Sequence, residues 1–199
     1  MKVLISGFEP FGGDKINPSQ ELIKKLKDQT FAFEVLGVVL PVSFENSFTV
    51  LKKHIDQFKP DYVVCTGLAK DRSGITIERI AVNVMEASIP DNDGYKPHGE
   101  RIISNDSDGL FSTLPIDSIL TQLKKAEIKS SISNTAGTYV CNSLMYKVLS
   151  YGKELGYRGG FIHLPPIPGM VEGDDVMGLN QITKSMVEIF KVLEKDFDF

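Results

Sequence analysis

What this chain has little of narrows the field first. It carries two cysteines and three histidines in 199 residues. Two thiols make no disulfide framework, so the expected compartment is the reducing cytoplasm. Basic excess is missing too: 22 Lys and Arg stand against 26 Asp and Glu, a formal charge of −4. With no basic stripe to neutralise phosphates, a general nucleic-acid binder is excluded. Lys24, Lys25 and Lys27, and Lys52 with Lys53, fall at helical spacing and read as solvated faces. No apolar stretch approaches a membrane span. The opening Met1-Lys2-Val3-Leu4-Ile5 is too short for a signal-peptide core and reads as a first strand. Internal repeats, low-complexity tracts and linkers are absent, so one domain over 1–199 is expected. Hydrophobic residues at 42 % are enough for a sizeable core.

What is present reads as alternating strands and helices. Residues 2–6 form a strand ending at Gly7, and a loop from Phe8 to Ile16 follows. Asn17 caps a helix that runs to about Asp28, with Pro18 at its first position. Phe33 to Leu40 is a strand. Ser43 caps a second helix that stops at Phe58 before Pro60. Asp61 to Gly67 is a near-continuous apolar strand, the pattern of one covered on both faces. Ile75 to Val84 alternates as a further strand. Residues 88–114 are a turn-rich excursion, with a short hairpin expected at Ile102–Ile103. A helix over 116–126, a strand over 129–133, a helix from Cys141 to Leu155 and a strand over 159–164 follow. The last helix runs from Met177 to Lys195, capped by Asp174 or Asp175. The fold class is therefore α/β: a three-layer α/β/α sandwich with a mixed, mostly parallel central sheet.

Ser133-Asn134-Thr135-Ala136-Gly137-Thr138-Tyr139-Val140-Cys141-Asn142 is the most informative stretch. It sets Cys141 at the mouth of a helix, after a small-residue turn. The positive end of a helix favours thiolate over thiol, and free main-chain N–H groups there can hold a developing oxyanion. Cys141 is thus a candidate nucleophile, and it needs a proton acceptor. His54 lies in a Lys-rich helix and His98 in the excursion. His163 closes an apolar strand before the rigid Leu164-Pro165-Pro166 and is the best-placed base; the competing reading is a core histidine bonded to a carbonyl. Glu78, a charge inside a β pattern, is costly to bury unless paired and is a candidate to orient the imidazole. Its competing reading is a structural charge beside Arg79. Cys65, mid-run in an apolar strand, reads as an inert buried thiol.

The loop Gly7-Phe8-Glu9-Pro10-Phe11-Gly12-Gly13 lacks both GxGxxG and the phosphate-loop lysine. Phe8 and Phe11, in a Pro-stiffened turn, suit a flat, small, uncharged ligand; the competing reading is that both are core plugs, the commoner fate of Phe.

These motifs resemble the pyroglutamyl peptidase type I (pyrrolidone-carboxylate peptidase) family. Gly7 to Gly13 with Asn17-Pro18-Ser19 is similar to its amino-terminal signature. Ile75 to Asn83 is similar to its glutamate signature, Ser133 to Asn142 to its cysteine signature, and Phe161 to Pro165 to its histidine segment. Ile89-Pro90-Asp91-Asn92 also fits. The resemblance implies Cys141 as nucleophile, His163 as general base and acid, and Glu78 as the group orienting it. Phe8 and Phe11 would line the pocket for the pyroglutamyl ring and Asn17 would shape it. It implies a cysteine peptidase acting on N-terminally pyroglutamylated peptides, a cytoplasmic homotetramer, and no metal or cofactor. Lys70-Asp71 departs from the family pattern, which has small residues before the arginine matched by Arg72. Two other classes stay open on the residues alone: a phosphate-dependent transferase of nucleoside-phosphorylase type using the Gly7–Gly13 loop, and a binding module that keeps the pocket without activity.

Overall fold

The structure, a computed structural model, describes residues 1–171 and 176–198. In chain order the elements are β1 (Lys2–Phe8), α1 (Pro18–Leu26), β2 (Glu34–Leu40), α2 (Asn46–Phe58), β3 (Tyr62–Leu68), β4 (Ile75–Glu78), β5 (Ile80–Val82), β6 (Met85–Glu86), β7 (His98–Glu100), β8 (Gly109–Phe111), α3 (Ile116–Lys125), β9 (Ser130–Ser133), α4 (Val140–Leu155), β10 (Arg158–Leu164) and α5 (Leu179–Phe197). Six strands form the central sheet in the order β2-β1-β3-β10-β4-β9. β2, β1, β3 and β10 run parallel. β4 runs antiparallel to β10, and β9 follows β4 in parallel. The loop over 69–74 is too short for the crossover that would return the chain to the far end of the sheet, so β4 must run back.

Strand periodicity sorts the core into two layers. Val3 and Ile5 of β1, Tyr62 and Val64 of β3, Ile75 and Ile77 of β4, and Ile162 and Leu164 of β10 face α1, α3 and α5. Leu4, Val63, Cys65 and Phe161 face α2 and α4. This is the three-layer sandwich expected. Among the described residues no helix is long and apolar enough to cross a membrane.

Three local expectations are corrected. The run from Ile75 to Val84 is two strands in different sheets. β4 ends at Glu78, and β5 pairs instead with β8 in a separate two-stranded sheet. The alternation continues across the break, so nothing in the pattern marks it. The change happens at Arg79, whose N–H donates to Ser133 O at 2.8 Å and whose C=O accepts from Ser112 N at 2.8 Å. Second, Ile102–Ile103 is no hairpin. Both residues' N–H groups donate to the side chain of Asn83 at 2.9 Å, and the excursion's pairing is supplied by β6 with β7 and β5 with β8. Third, the last helix starts at Leu179 behind Gly178; the caps Asp174 and Asp175 lie outside the described residues. Both other caps act as read. Asn17 Oδ1 accepts from Ser19 N at 3.0 Å. Ser43 Oγ accepts from Asn46 N at 3.0 Å, although α2 proper begins three residues later.

Candidate active site

Parity decides which side chains can meet. On β10, His163 shares a face with Phe161; on β4, Glu78 shares one with Thr76, opposite Ile75 and Ile77. The β10–β4 register pairs Ile162 with Ile77 and His163 with Thr76. Glu78 is therefore a diagonal neighbour of His163 on the face covered by α4, within reach of long side chains. Its Oε1 lies 2.8 Å from His163 Nδ1. A carboxylate can only accept, so Nδ1 carries the proton and Nε2 is left for the other side of the ring. The pair is dry: Glu78 is 0 % and His163 6 % exposed. Arg79, on the opposite parity, bonds Asn134 Oδ1 at 2.6 Å rather than Glu78.

Cys141 enters from above the sheet in the first turn of α4. Tyr139, the residue before the helix, is extended, and no side chain among the described residues caps it. The first helical main-chain bond runs from Ser143 N to Tyr139 O, leaving the preceding amides aimed outward as at any helix start. Asn142, fully buried, docks this turn onto β5. Its Oδ1 accepts from Val82 N at 2.9 Å, and its Nδ2 donates to Val82 O at 2.9 Å and Val84 O at 3.1 Å. The helix bearing Cys141 is thus tied to the strand that directly follows Glu78. Gly67, paired with His163 across β3 and β10, makes room for the sulfur: a Cβ there would lie 3.1 Å from Cys141 Sγ and 2.9 Å from Phe161 Cζ.

Burial opposes the charged form of His163, but hydrogen bonds with Cys141 and Glu78 outweigh it and raise the imidazole to about 9. The sulfur and carboxylate flank one ring, which holds its proton at neutral pH. Cys65 contrasts: burial pushes its thiol up to about 12, as the inert reading expects.

Phe8, Phe11 and Asn17 line a narrow cleft together with Cys141. Phe8 is also a member of the core, while Phe11 is half-buried against it. Asn17 is 1 % exposed, and both ends of its amide are bonded. Besides capping α1 it accepts from Ser19 Oγ at 2.8 Å and donates to Glu9 O at 3.0 Å, fixing the loop that carries both phenylalanines. Val42, Leu68, Tyr139 and Val140 complete the cleft; nothing in the sequence marked Val42, while Tyr139 and Val140 stand directly before Cys141. The Gly7–Gly13 loop is no phosphate cradle. Phe8 N donates to Ser19 Oγ at 2.9 Å and Glu9 N to Leu40 O at 3.0 Å. Gly7 is needed for packing, since a Cβ there would lie 2.3 Å from Ser19 O.

His98 is exposed and His54 half-buried, both on elements away from this cluster. Lys24, Lys25 and Lys27 are exposed, as read; Lys52 is held by Asp56 and Tyr151 at 2.7 and 2.9 Å. Among the described residues no group of three or more His, Cys, Asp or Glu could hold a metal ion.

Comparison with known proteins gives the family. The family model described as pyroglutamyl peptidase matches residues 1–192. A pyrrolidone-carboxylate peptidase of Thermococcus onnurineus is 48 % identical over 167 residues, covering 83 % of this chain and 84 % of its own length. A solved mutant pyrrolidone carboxyl peptidase from Pyrococcus furiosus superposes with TM-score 0.93 at 40 % identity, covering 99 % of this chain and 100 % of its own. The crystal structure of Bacillus amyloliquefaciens pyroglutamyl peptidase I gives 0.89 at 38 % identity, with 94 % of each chain covered. The chain belongs to the pyroglutamyl peptidase family.

Proposed function

We propose that this protein is a cysteine peptidase that removes an N-terminal pyroglutamyl (5-oxoprolyl) residue from peptides, with Cys141, His163 and Glu78 as its working groups. The observation that carries the reading is the buried 2.8 Å pair of Glu78 Oε1 and His163 Nδ1, on the face of the sheet where Cys141 lines an apolar cleft and acts on the same imidazole. The pyroglutamyl ring is flat and neutral. Phe8, Phe11 and Leu68 give it apolar walls, and a free amino terminus in its place would be a buried, unpaired ammonium. Asn17 acts on the pocket through the loop it holds.

In the reaction, Cys141 Sγ attacks the pyroglutamyl carbonyl carbon. The carbonyl oxygen takes up negative charge facing the first-turn amides of α4; one such donor is worth about 3–4 kcal/mol. His163 gives its Nε2 proton to the leaving amine, the C–N bond breaks and a thioester remains. His163 then takes a proton from water as the water attacks the thioester. Pyroglutamate leaves, and the proton returns to the sulfur–imidazole pair. Glu78 fixes the ring and stabilises its charged form throughout.

A homotetramer in the cytoplasm belongs to the same proposal. Ile89, Tyr95 and Phe111, at 47, 43 and 65 % exposed, all lie in the 88–114 excursion and support it as part of a subunit contact. Light scattering of the purified protein tests the assembly. The activity is tested with a pyroglutamyl-arylamide beside an ordinary aminopeptidase substrate. Only the first should turn over, and Cys141→Ala should abolish that turnover while leaving the thermal midpoint in place. A Cys141→Ala protein that still cleaves the arylamide ends the proposal.

A further inference from the structure

Two tight turns border the cleft, and neither carries a member of the Cys141, His163 and Glu78 cluster. The first is Phe11–Asp14: Asp14 N donates to Phe11 O at 3.1 Å, with Gly12 and Gly13 at φ +61° and +88°. Two left-handed central residues are what a type I′ turn demands. A Cβ at either glycine would meet nothing within 4 Å, so the tip stands clear of the body. The second turn is Ala69–Arg72, closed by Arg72 N to Ala69 O at 3.2 Å and fastened to β10 by Ala69 N to Leu164 O at 2.9 Å. Phe11 borders the cleft from the first turn, and Leu68 borders it just before the second.

Lys70 joins them. Its Nζ lies 2.8 Å from Oδ1 and 2.7 Å from Oδ2 of Asp14. The Asp14 side chain is 22 % exposed, less open than the lysine at 49 %. Residues 9 and 10 are held elsewhere, through Glu9 to Val42 and Asn92 and through Pro10 to Asn92. Among the described residues, the Asp14–Lys70 pair is the polar link that segment 11–16 makes outside itself. Phe11 otherwise has its half-buried ring against Tyr139, 6.1 Å between centroids.

We propose that Lys70 is a positioning residue for substrate. By gripping Asp14 it holds the Phe11 turn against the anchored 69–72 turn, and so sets how well the cleft is preformed for the pyroglutamyl ring. The pair touches neither sulfur nor imidazole, so it acts on substrate affinity and leaves the bond-making steps alone. This rests on the peptidase reading above for its kinetic arm, though not for its structural one. A half-exposed pair of this kind shifts an equilibrium by about two- to fivefold. Salt screens it, because the Debye length falls from about 30 Å at 0.01 M to about 3 Å at 1 M.

The kinetic arm measures KM and kcat separately for a pyroglutamyl-arylamide at those two ionic strengths. For the wild-type protein KM should rise about two- to fivefold with salt, at constant kcat. Lys70→Ala and Asp14→Asn should each show the raised KM already at low salt, with no further salt response, and the double variant should be no worse than either single one. Asp14→Lys combined with Lys70→Asp should restore the low-salt KM. The structural arm follows amide hydrogen exchange of residues 11–16, which should quicken by a similar factor in Lys70→Ala at low salt and match the wild type at high salt. A low-salt KM and exchange rate unchanged in Lys70→Ala, or a loss confined to kcat, overturns the proposal. If the wild-type protein leaves the arylamide intact, the peptidase reading falls by itself and the exchange arm still decides the tether.

Discussion

Replacing Glu78 by glutamine tests the imidazole's surroundings with the least change of shape. The carboxylate is fully buried, and one oxygen accepts from His163 Nδ1 at 2.8 Å. Burial alone would lower His163; the hydrogen bonds with Cys141 and Glu78 carry it to about 9. A hydrogen bond to a charged group is worth about 1.5–3 kcal/mol, a neutral one about 1, and a pH unit about 1.4, so an amide oxygen in place of the carboxylate should bring His163 down by roughly one pH unit. A proton held less tightly leaves at lower pH, so the basic limb of the kcat/KM profile should move toward neutrality. The same difference, if realised in the transition state, lowers kcat/KM by about 2- to 30-fold. Stability at neutral pH should fall, because the buried imidazolium loses its charged partner; Glu78 Oε2, which has no hydrogen-bond partner among the described residues, offsets part of that loss. The assay is kcat/KM against pH for both proteins, beside their thermal melts. A variant with full kcat/KM and an unmoved basic limb would refute the argument and leave Glu78 a structural charge. A fall in melting temperature with kcat/KM unchanged would locate its role in folding instead.

Three further outcomes are expected. Gly67→Ala places a methyl 3.1 Å from Cys141 Sγ and 2.9 Å from Phe161 Cζ; overpacking of this kind costs about 1–3 kcal/mol, and a sulfur displaced by a fraction of an ångström should lose up to about 10²-fold in kcat, read from a melt and steady-state kinetics. Iodoacetamide should label the folded protein once, at Cys141, because Cys65 is fully buried with its thiol pushed up to about 12; peptide mapping that finds Cys65 modified at native pH contradicts this. His163, raised above its ordinary value of about 6.5, contributes stability that is complete below that pH and is lost as pH climbs through about 9. The thermal midpoint should therefore decline between those two values, and the decline should be shallower in Glu78→Gln.

Much of the site was legible before the structure because its residue types are individually conspicuous. A helix start with a cysteine, a histidine at the end of an apolar strand and a charge inside a β pattern each break a local rule, and each break asks for a partner. The caps Asn17 and Ser43 were legible for the same reason: their side chains bond main chain a few residues away. The switch of sheets at Arg79 was not, because pleat alternation runs through it unbroken. Nor was Val42, an ordinary apolar residue that borders the cleft only through the packing of separate loops. Asn142 sat in the conspicuous stretch, yet its partners Val82 and Val84 lie about sixty residues away, beyond any local pattern.

The direction of β4 was the other thing hidden, and it decides where along β10 Glu78 meets His163. Parity alone puts Glu78 and His163 on one face whichever way the strand runs. In the observed antiparallel register, with His163 beside Thr76 and Ile162 beside Ile77, Glu78 falls level with Phe161. That is inside the sheet, below the imidazole. A parallel strand with the same His163–Thr76 pairing would set Glu78 level with Pro165, past the end of β10 and without a strand residue opposite it. The short 69–74 loop that forces β4 to turn back therefore also sets the carboxylate beside Phe161, and it carries Lys70 to the cleft's rim. One connection too short for a crossover shapes the acid end of the site from beneath and its mouth from above.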